Sequence, residues 1–240
     1  MEDRVDEKHC PNTDEAKPLD ETKYKEKGKC ICKISISRCL MGTGFFSKID
    51  YEGETIPVLI TNYHVIDDDF INKNKKLTFY INGNSHTIDI NKDSVVYSST
   101  NKKYDIMIIK LKECEGYSFL EIDNNIFKDG SLENYENQGI YILHYPGNEE
   151  KAQISFGDGI KKIKKDNDDN DDIMHKCHTE SGSSGSPILC MATNKVIGIH
   201  RGSDRKGYNY GTFLKFPLNE YKNMNKNENE IKVRNNYIII

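Results

Sequence analysis

The chain has 240 residues, a formal net charge of -4, and 36% hydrophobic against 30% charged residues. That length suits one all-β barrel or sandwich unit or two small ones, and the apolar share still permits a sizeable core. Acids are interleaved with the lysines and no basic stripe recurs, and no run approaches the roughly 18 apolar residues of a membrane span, so neither nucleic acid nor membrane is an expected partner.

Residues 1–28 are charged, short of large apolar residues and interrupted by Pro11 and Pro18. Such a composition cannot bury enough surface to offset ordering, and it reads as a disordered polar arm. Its start, MEDRVDEKHC, lacks the apolar stretch of a secretory signal, which points to an intracellular, cytoplasmic setting. From Lys29 onward short β-branched and aromatic runs follow one another: CICKISI, GTGFFSKI, TIPVLITNYHVI, KLTFYIN, HTIDI, SVVYSS, YDIMIIKL, YSFLEI, GIYILHYP, AQISFGDGI, SPILCM, KVIGIHRG and GTFLKFPL. Each is about strand length and is bounded by Gly, Asn, Asp, Pro or Ser. This pattern predicts an all-β barrel or double barrel. The barrel unit is expected over residues 29–222, dividing near 112–138.

Between two of these strands lies KKDNDDNDD, Lys164 to Asp172. Its alternating acids suggest a calcium loop, but Asp171 stands where such a loop needs Gly and Cys177 where it needs Glu. A solvated insertion is the expectation, and no metal site. The last stretch, NEYKNMNKNENEIKVRNNYIII, reads as a short helix or a polar tail over 223–240. The seven cysteines are odd in number and form no CxxC pair, so free thiols in a reducing compartment are expected. No cofactor is implied.

The segment TESGSSGSPIL, Thr179 to Leu189, is the smallest and smoothest in the chain. It reads either as a linker or as a turn that lets another molecule's backbone come very close. A nucleophile in that turn would need a histidine to take its proton and a buried carboxylate to orient the histidine. LITNYHVID places His64 directly after an apolar strand, and KKYDIMIIKL places Asp105 at the head of the most apolar run. Singly these read as a half-buried histidine and a turn-forming aspartate. Asp67 and Asp93 are rival carboxylates, but neither heads so long an apolar run.

Taken together, TNYHV, YDIMIIKL and GSSGSP, with GTGFF before and VIGIHRG after, resemble the trypsin/chymotrypsin clan of serine proteases, over about Lys29 to Tyr221. The chain order His64, Asp105, Ser184 is that clan's order. The resemblance implies a chymotrypsin-like double β-barrel, a polypeptide substrate, and an endopeptidase in which Ser184 attacks, His64 carries the proton and Asp105 orients it. It assigns the oxyanion hole to the amides of Gly182 and Ser184. Ser183 replaces the aspartate that trypsin-like zymogens use for activation, and the cysteines do not follow the secreted family's framework. The closer likeness is to the glutamyl endopeptidase and 3C-like branches. There Thr179 and His200 match positions that recognise P1 Glu or Gln, while His178 stands where trypsin has its pocket aspartate. The main chain from Ile199 to Gly202 is expected to pair with the substrate as an added strand. The alternative is a catalytically silent binding or regulatory module on the same fold.

Overall fold

The structure is a computed structural model that describes residues 17–18, 24–37, 40–100, 103–136, 138–147, 149–163, 172–204 and 208–225. Fifteen strands occur among them. They are β1 (Lys17–Pro18), β2 (Ile31–Ser37), β3 (Leu40–Tyr51), β4 (Glu54–Thr61), β5 (Lys76–Ile81), β6 (Asn84–Asp89), β7 (Val95–Ser99) and β8 (Ile106–Lys110), followed by β9 (Ile140–His144), β10 (Gln153–Gly157), β11 (Ile160–Ile163), β12 (Asp172–His175), β13 (Pro187–Cys190), β14 (Val196–Ser203) and β15 (Asn209–Phe213). One sheet has the order β6-β5-β2-β3-β4-β8-β7, and the other β1-β10-β9-β13-β14-β15-β12-β11. Both curl into barrel-like halves.

Local chemistry explains the tight hairpins. Glu52-Gly53 joins β3 to β4 and Asn82-Gly83 joins β5 to β6, with all four residues at positive φ, from 48° to 86°. Two such residues give the turn whose twist matches the flanking strands, and Asn and Gly adopt it at least cost. The apolar run of β8 lacks alternation because both faces of this sheet are covered. Cys32, Phe46, Leu59, Met107 and Ile109 pack within the first barrel. Their neighbours Ile31, Phe45, Ile60 and Ile108 turn the other way, into a core shared with Tyr141, Leu143, Ile188 and Phe213 of the second.

Two expected strands differ from the structure. YSFLEI forms only isolated bridges, Ser47 with Leu120 and Ile122 with Val196. The run straps the two sheets, Leu120 N bonding Phe46 O and Asp123 N bonding Val196 O (both 2.9 Å), so it cannot extend in either one. In GTFLKFPL the strand stops at Phe213 and a helix, 215–225, takes over; Pro217 sits in its first turn, where no amide is missed. This helix returns to the first barrel, where Tyr97 donates to Glu220 at 3.0 Å, Lys103 pairs with Glu220, and Tyr221 donates to Asp50 O at 3.1 Å.

The packed chain also begins before Lys29. A 3₁₀ turn spans Lys25–Cys30, Tyr24 is buried against Tyr141 with ring centroids 4.9 Å apart, and Lys17–Pro18 pairs with β10. The rest of the expected arm, residues 164–171 of the acidic insertion, and the tail beyond 225 lie outside the described residues. Cys30, Cys32, Cys177 and Cys190 are buried and Cys114 half-buried, each a free thiol. No helix is long and apolar enough to cross a membrane among the described residues.

Candidate active site

His64 and Asp105 are positioned by two strand ends of the first barrel. After β4 ends at Thr61, the carbonyl of Asn62 accepts the amides of Val65 and Ile66, each at 3.2 Å. Those two side chains are buried, so His64 is left projecting, its side chain 35% exposed. Asn62 is itself buried, and its Nδ2 donates to the Asp105 carbonyl at 2.8 Å. Asp105 enters β8 with φ at 50°, and its amide donates to Thr100 O at 2.9 Å. Left-handed backbone is a conformation that a short polar side chain tolerates better than most.

His64 engages both carboxylate oxygens of Asp105. Its amide donates to Oδ1 at 2.9 Å, and its Nδ1 lies 2.6 Å from Oδ2. An ionised carboxylate only accepts, so the proton sits on Nδ1 and the neutral ring presents Nε2 as a base. Burial alone would raise the Asp105 carboxyl. The hydrogen bond and charge of His64 outweigh it, with Arg201 Nε 3.8 Å away adding to them, and hold the group below the ordinary carboxylate value. The rival Asp67 caps α1 (Asp68–Lys73), its Oδ1 accepting Phe70 N at 2.7 Å. Asp93 lies in a 3₁₀ turn, Lys92–Ser94.

Ser184 lies in the turn before β13, between Gly182 at φ 94° and Gly185 at φ 89°. Thr43 of β3 holds that turn against the first barrel. Its amide donates to Ser184 O at 2.7 Å and its hydroxyl to Gly182 O at 2.8 Å, while Thr61 Oγ1 donates to its carbonyl at 2.8 Å. A Cβ on Gly185 would stand 2.0 Å from that same Thr43 oxygen. The amides of Ser183, Gly185 and Ser186 are committed to Glu180 O, His200 O and Ser183 O at 2.9–3.1 Å. The Gly182 amide has no hydrogen-bond partner among the described residues. Ser184 Oγ donates to Arg201 O at 3.2 Å, and among the described residues no hydrogen bond joins it to His64.

Ser183 has its hydroxyl bonded by the Glu180 amide at 3.1 Å and lies 2.9 Å from His144 Nδ1. His144 is fully buried, which pushes its imidazole down to about 3, aided by the charges of His200 and His178. A neutral imidazole thus stands beside this turn where the zymogen pattern has an ion pair.

Of the expected pocket residues, His178 and Thr179 precede the same turn in the chain, and His200 O accepts its Gly185 amide. The His178 amide donates to Ser155 Oγ at 2.6 Å, and its Nε2 lies 3.1 Å from Glu180 Oε1. Thr179 is buried and donates to Asn209 Oδ1 at 2.6 Å, with Asn209 Nδ2 donating to Cys177 O at 2.7 Å. The Thr179 proton is therefore already committed. His200 is buried beside His175, with Nδ1 3.0 Å from His175 Nε2. The Cys177 amide donates to His175 Nδ1 at 3.3 Å, which places the His175 proton on Nε2. His200 Nδ1 then accepts, and its own proton stands on Nε2. Burial holds His175 neutral, well below the usual imidazole range. Gly202 pairs with Tyr210 past a bulge in β14. Asn62, Thr43, His175, Asn209 and Arg201 were not singled out by sequence reasoning; only Asn62, a polar residue closing an apolar strand beside His64, carried a signal.

Residues 42–199, well over half of the chain, match the family of trypsin-like peptidase domains, and the chain belongs to that family. It is a serine-type peptidase with the chymotrypsin-like double-barrel fold. Among solved structures, an inactive form of Rv3671c from M. tuberculosis H37Rv, a serine-to-alanine mutant, is similar at 16% identity and a TM-score of 0.57, covering 82% of this chain and 89% of that one. Another structure, of Rv3671c protease in an inactive form, is similar at 16% identity and a TM-score of 0.59, covering 87% and 99%. No curated protein sequence matches the chain.

Proposed function

We propose that the chain is an endopeptidase that cuts peptide bonds with Ser184, His64 and Asp105, and that it prefers Glu or Gln at P1. The observation that carries the reading is the two-point bond between His64 and Asp105, set beside a Ser184 turn bonded directly to the first barrel.

The chemistry follows from that arrangement. Ser184 Oγ forms a bond to the scissile carbonyl carbon while its proton passes to His64 Nε2, and the carbonyl electrons move onto oxygen. The Gly182 and Ser184 amides are the proposed donors to that oxyanion. The C–N bond then breaks, and His64 returns the proton to the departing amine. Water repeats the cycle on the acyl-enzyme, releasing the acid and restoring the serine. Asp105 stabilises the imidazolium in both halves and stays ionised. The Ser184 hydroxyl must first exchange Arg201 O for His64. A substrate strand against β14 would compete for that oxygen, because β13 pairs only as far as Pro187↔Ile199 and leaves Gly202 and Ser203 without a strand on that side among the described residues.

The P1 reading rests on His200, whose Nε2 proton is fixed by the chain Cys177 N to His175 to His200. An N–H held in that way favours a carboxylate or amide oxygen. Thr179 lends less, since its hydroxyl proton goes to Asn209.

Fluorophosphonate labelling tests the nucleophile. The native chain is expected to label, and Ser184→Ala and His64→Ala to abolish it. A folded native chain that stays unlabelled would sink the proposal. A P1 peptide library on the active chain then tests Glu and Gln.

A further inference from the structure

Arg201 sits at the junction of the site. Its main-chain oxygen takes the Ser184 hydroxyl, and its side chain, 16% exposed, runs between two carboxylates. Nη1 lies 3.1 and 3.2 Å from the two oxygens of Asp172, the first residue of β12, and Nε lies 3.8 Å from Asp105 Oδ2. That last oxygen is the one facing His64 Nδ1.

A guanidinium at this distance makes no hydrogen bond, so its action on Asp105 is Coulombic, and it does not titrate. One carboxylate charge is shared between a permanent cation and an imidazole that must become a cation during the reaction. The groups facing Asp105 are His64 from the turn after β4 and Arg201 from β14. Lys103, on its own segment, is turned away onto Glu220. Asp172 in turn claims part of the guanidinium's charge.

We propose that Arg201 is a positioning residue that limits how strongly Asp105 stabilises charged His64, and that Asp172 sets how much of the Arg201 charge reaches Asp105. The inference rests on the proposed triad and gives it a fourth and a fifth member. Its direction is fixed by charge. Removing the guanidinium leaves the whole carboxylate to the imidazolium and makes His64 easier to protonate. Removing Asp172 turns the guanidinium more fully toward Asp105 and does the opposite.

The test is the pH dependence of fluorophosphonate labelling rate at constant ionic strength, for the native chain, Arg201→Gln, Arg201→Lys and Asp172→Asn. Arg201→Gln is expected to move the acid limb to higher pH by about one unit, the lower end of what a charge at this range produces. Arg201→Lys should return it toward the native position, and Asp172→Asn should move it to lower pH. A loss of packing alone would lower the rate without shifting the limb in opposite senses. Limbs that coincide with the native one in variants that melt cooperatively would overturn the inference, as would a common direction for both charge removals. Should Arg201→Gln fail to fold, Asp172→Asn decides by itself. A native chain that labels while the limbs stay put refutes this inference alone; a native chain that never labels refutes it together with the triad reading.

Discussion

The amide of Thr43 donates to the main-chain oxygen of Ser184 at 2.7 Å, so the peptide bearing the Ser184 hydroxyl in the second barrel is bonded to a strand of the first. No side chain intervenes, and the space is set by a neighbouring glycine. Gly185 has a positive φ of 89°, and any Cβ there would collide with the Thr43 carbonyl and the Thr61 hydroxyl. Gly185→Ala is therefore expected to part the turn from β3, costing about 3 kcal/mol or more and most of the activity. Urea unfolding with parallel rate measurement would check it; an alanine variant as stable and as fast as the native chain would contradict this account.

Asp105→Asn separates geometry from charge. The asparagine fits the same space, but its amide can donate to His64 Nδ1 and so favour the proton on Nε2, where the ring can no longer act as a base. A fall of roughly 10⁴ in kcat with little loss of stability is the expected outcome. A drop of only a few-fold would mean that Asp105 does not orient the base.

His144 gives the fold a pH dependence of definite sign. The native imidazole stays neutral down to about 3, whereas an unperturbed histidine protonates near 6.5. Between those values the unfolded chain binds a proton that the native chain does not, so stability falls as pH drops, by about 1.4 kcal/mol per pH unit for each such group. His175, also pushed down by burial, adds a second share. Replacing His144 by Gln should flatten the slope by about 1.4 kcal/mol per unit between about pH 6 and pH 4. Denaturant midpoints across that range would show it, and an unchanged slope would mean that His144 is protonated in the native state.

In the proposed P1 pocket, Thr179 and His200 should separate cleanly. His200→Leu is expected to reduce the preference for Glu or Gln over an aliphatic P1 by at least about 100-fold, since a buried polar donor is lost. Thr179→Val should leave that preference largely intact and instead cost about 1–3 kcal/mol of stability, because Asn209 Oδ1 loses its donor. Competing substrates in one reaction would report the first and thermal melting the second. Equal loss of selectivity in both variants would assign recognition to the hydroxyl after all.

Much of the architecture could be read from the chain because its signals are local. Asn82-Gly83 names its own turn, the β8 run its own burial, and GSSGSP its own lack of side chains. His64 and Asp105 could be singled out because each stands at the end of an apolar strand. What stayed hidden depends on residues that meet only after the sheets close. Arg201 and Asp172 are 29 residues apart and look like any surface pair, yet they lie against the site. His175 gains its importance solely from where His200 falls. YSFLEI has the composition of a strand, but two sheets each claim one of its residues. Lys17–Pro18 looks like solvated chain because two residues carry no periodicity, and only the open edge of β10 gives them a place.

The division of the site between two sheets has a consequence for the order in which its parts come into being. His64 and Asp105 belong to a sheet whose last strand ends at Lys110, while Ser184 belongs to one that is not closed until β15 ends at Phe213. During synthesis the first sheet can gather its own core while the second is still unmade. On the proposed triad, a growing polypeptide would then hold His64 and Asp105 ready for a long interval with no Ser184 turn for them to activate. Vectorial synthesis would thereby act as a safety catch, keeping the proposed hydrolytic centre silent until the chain that could be its nearest victim has folded out of reach.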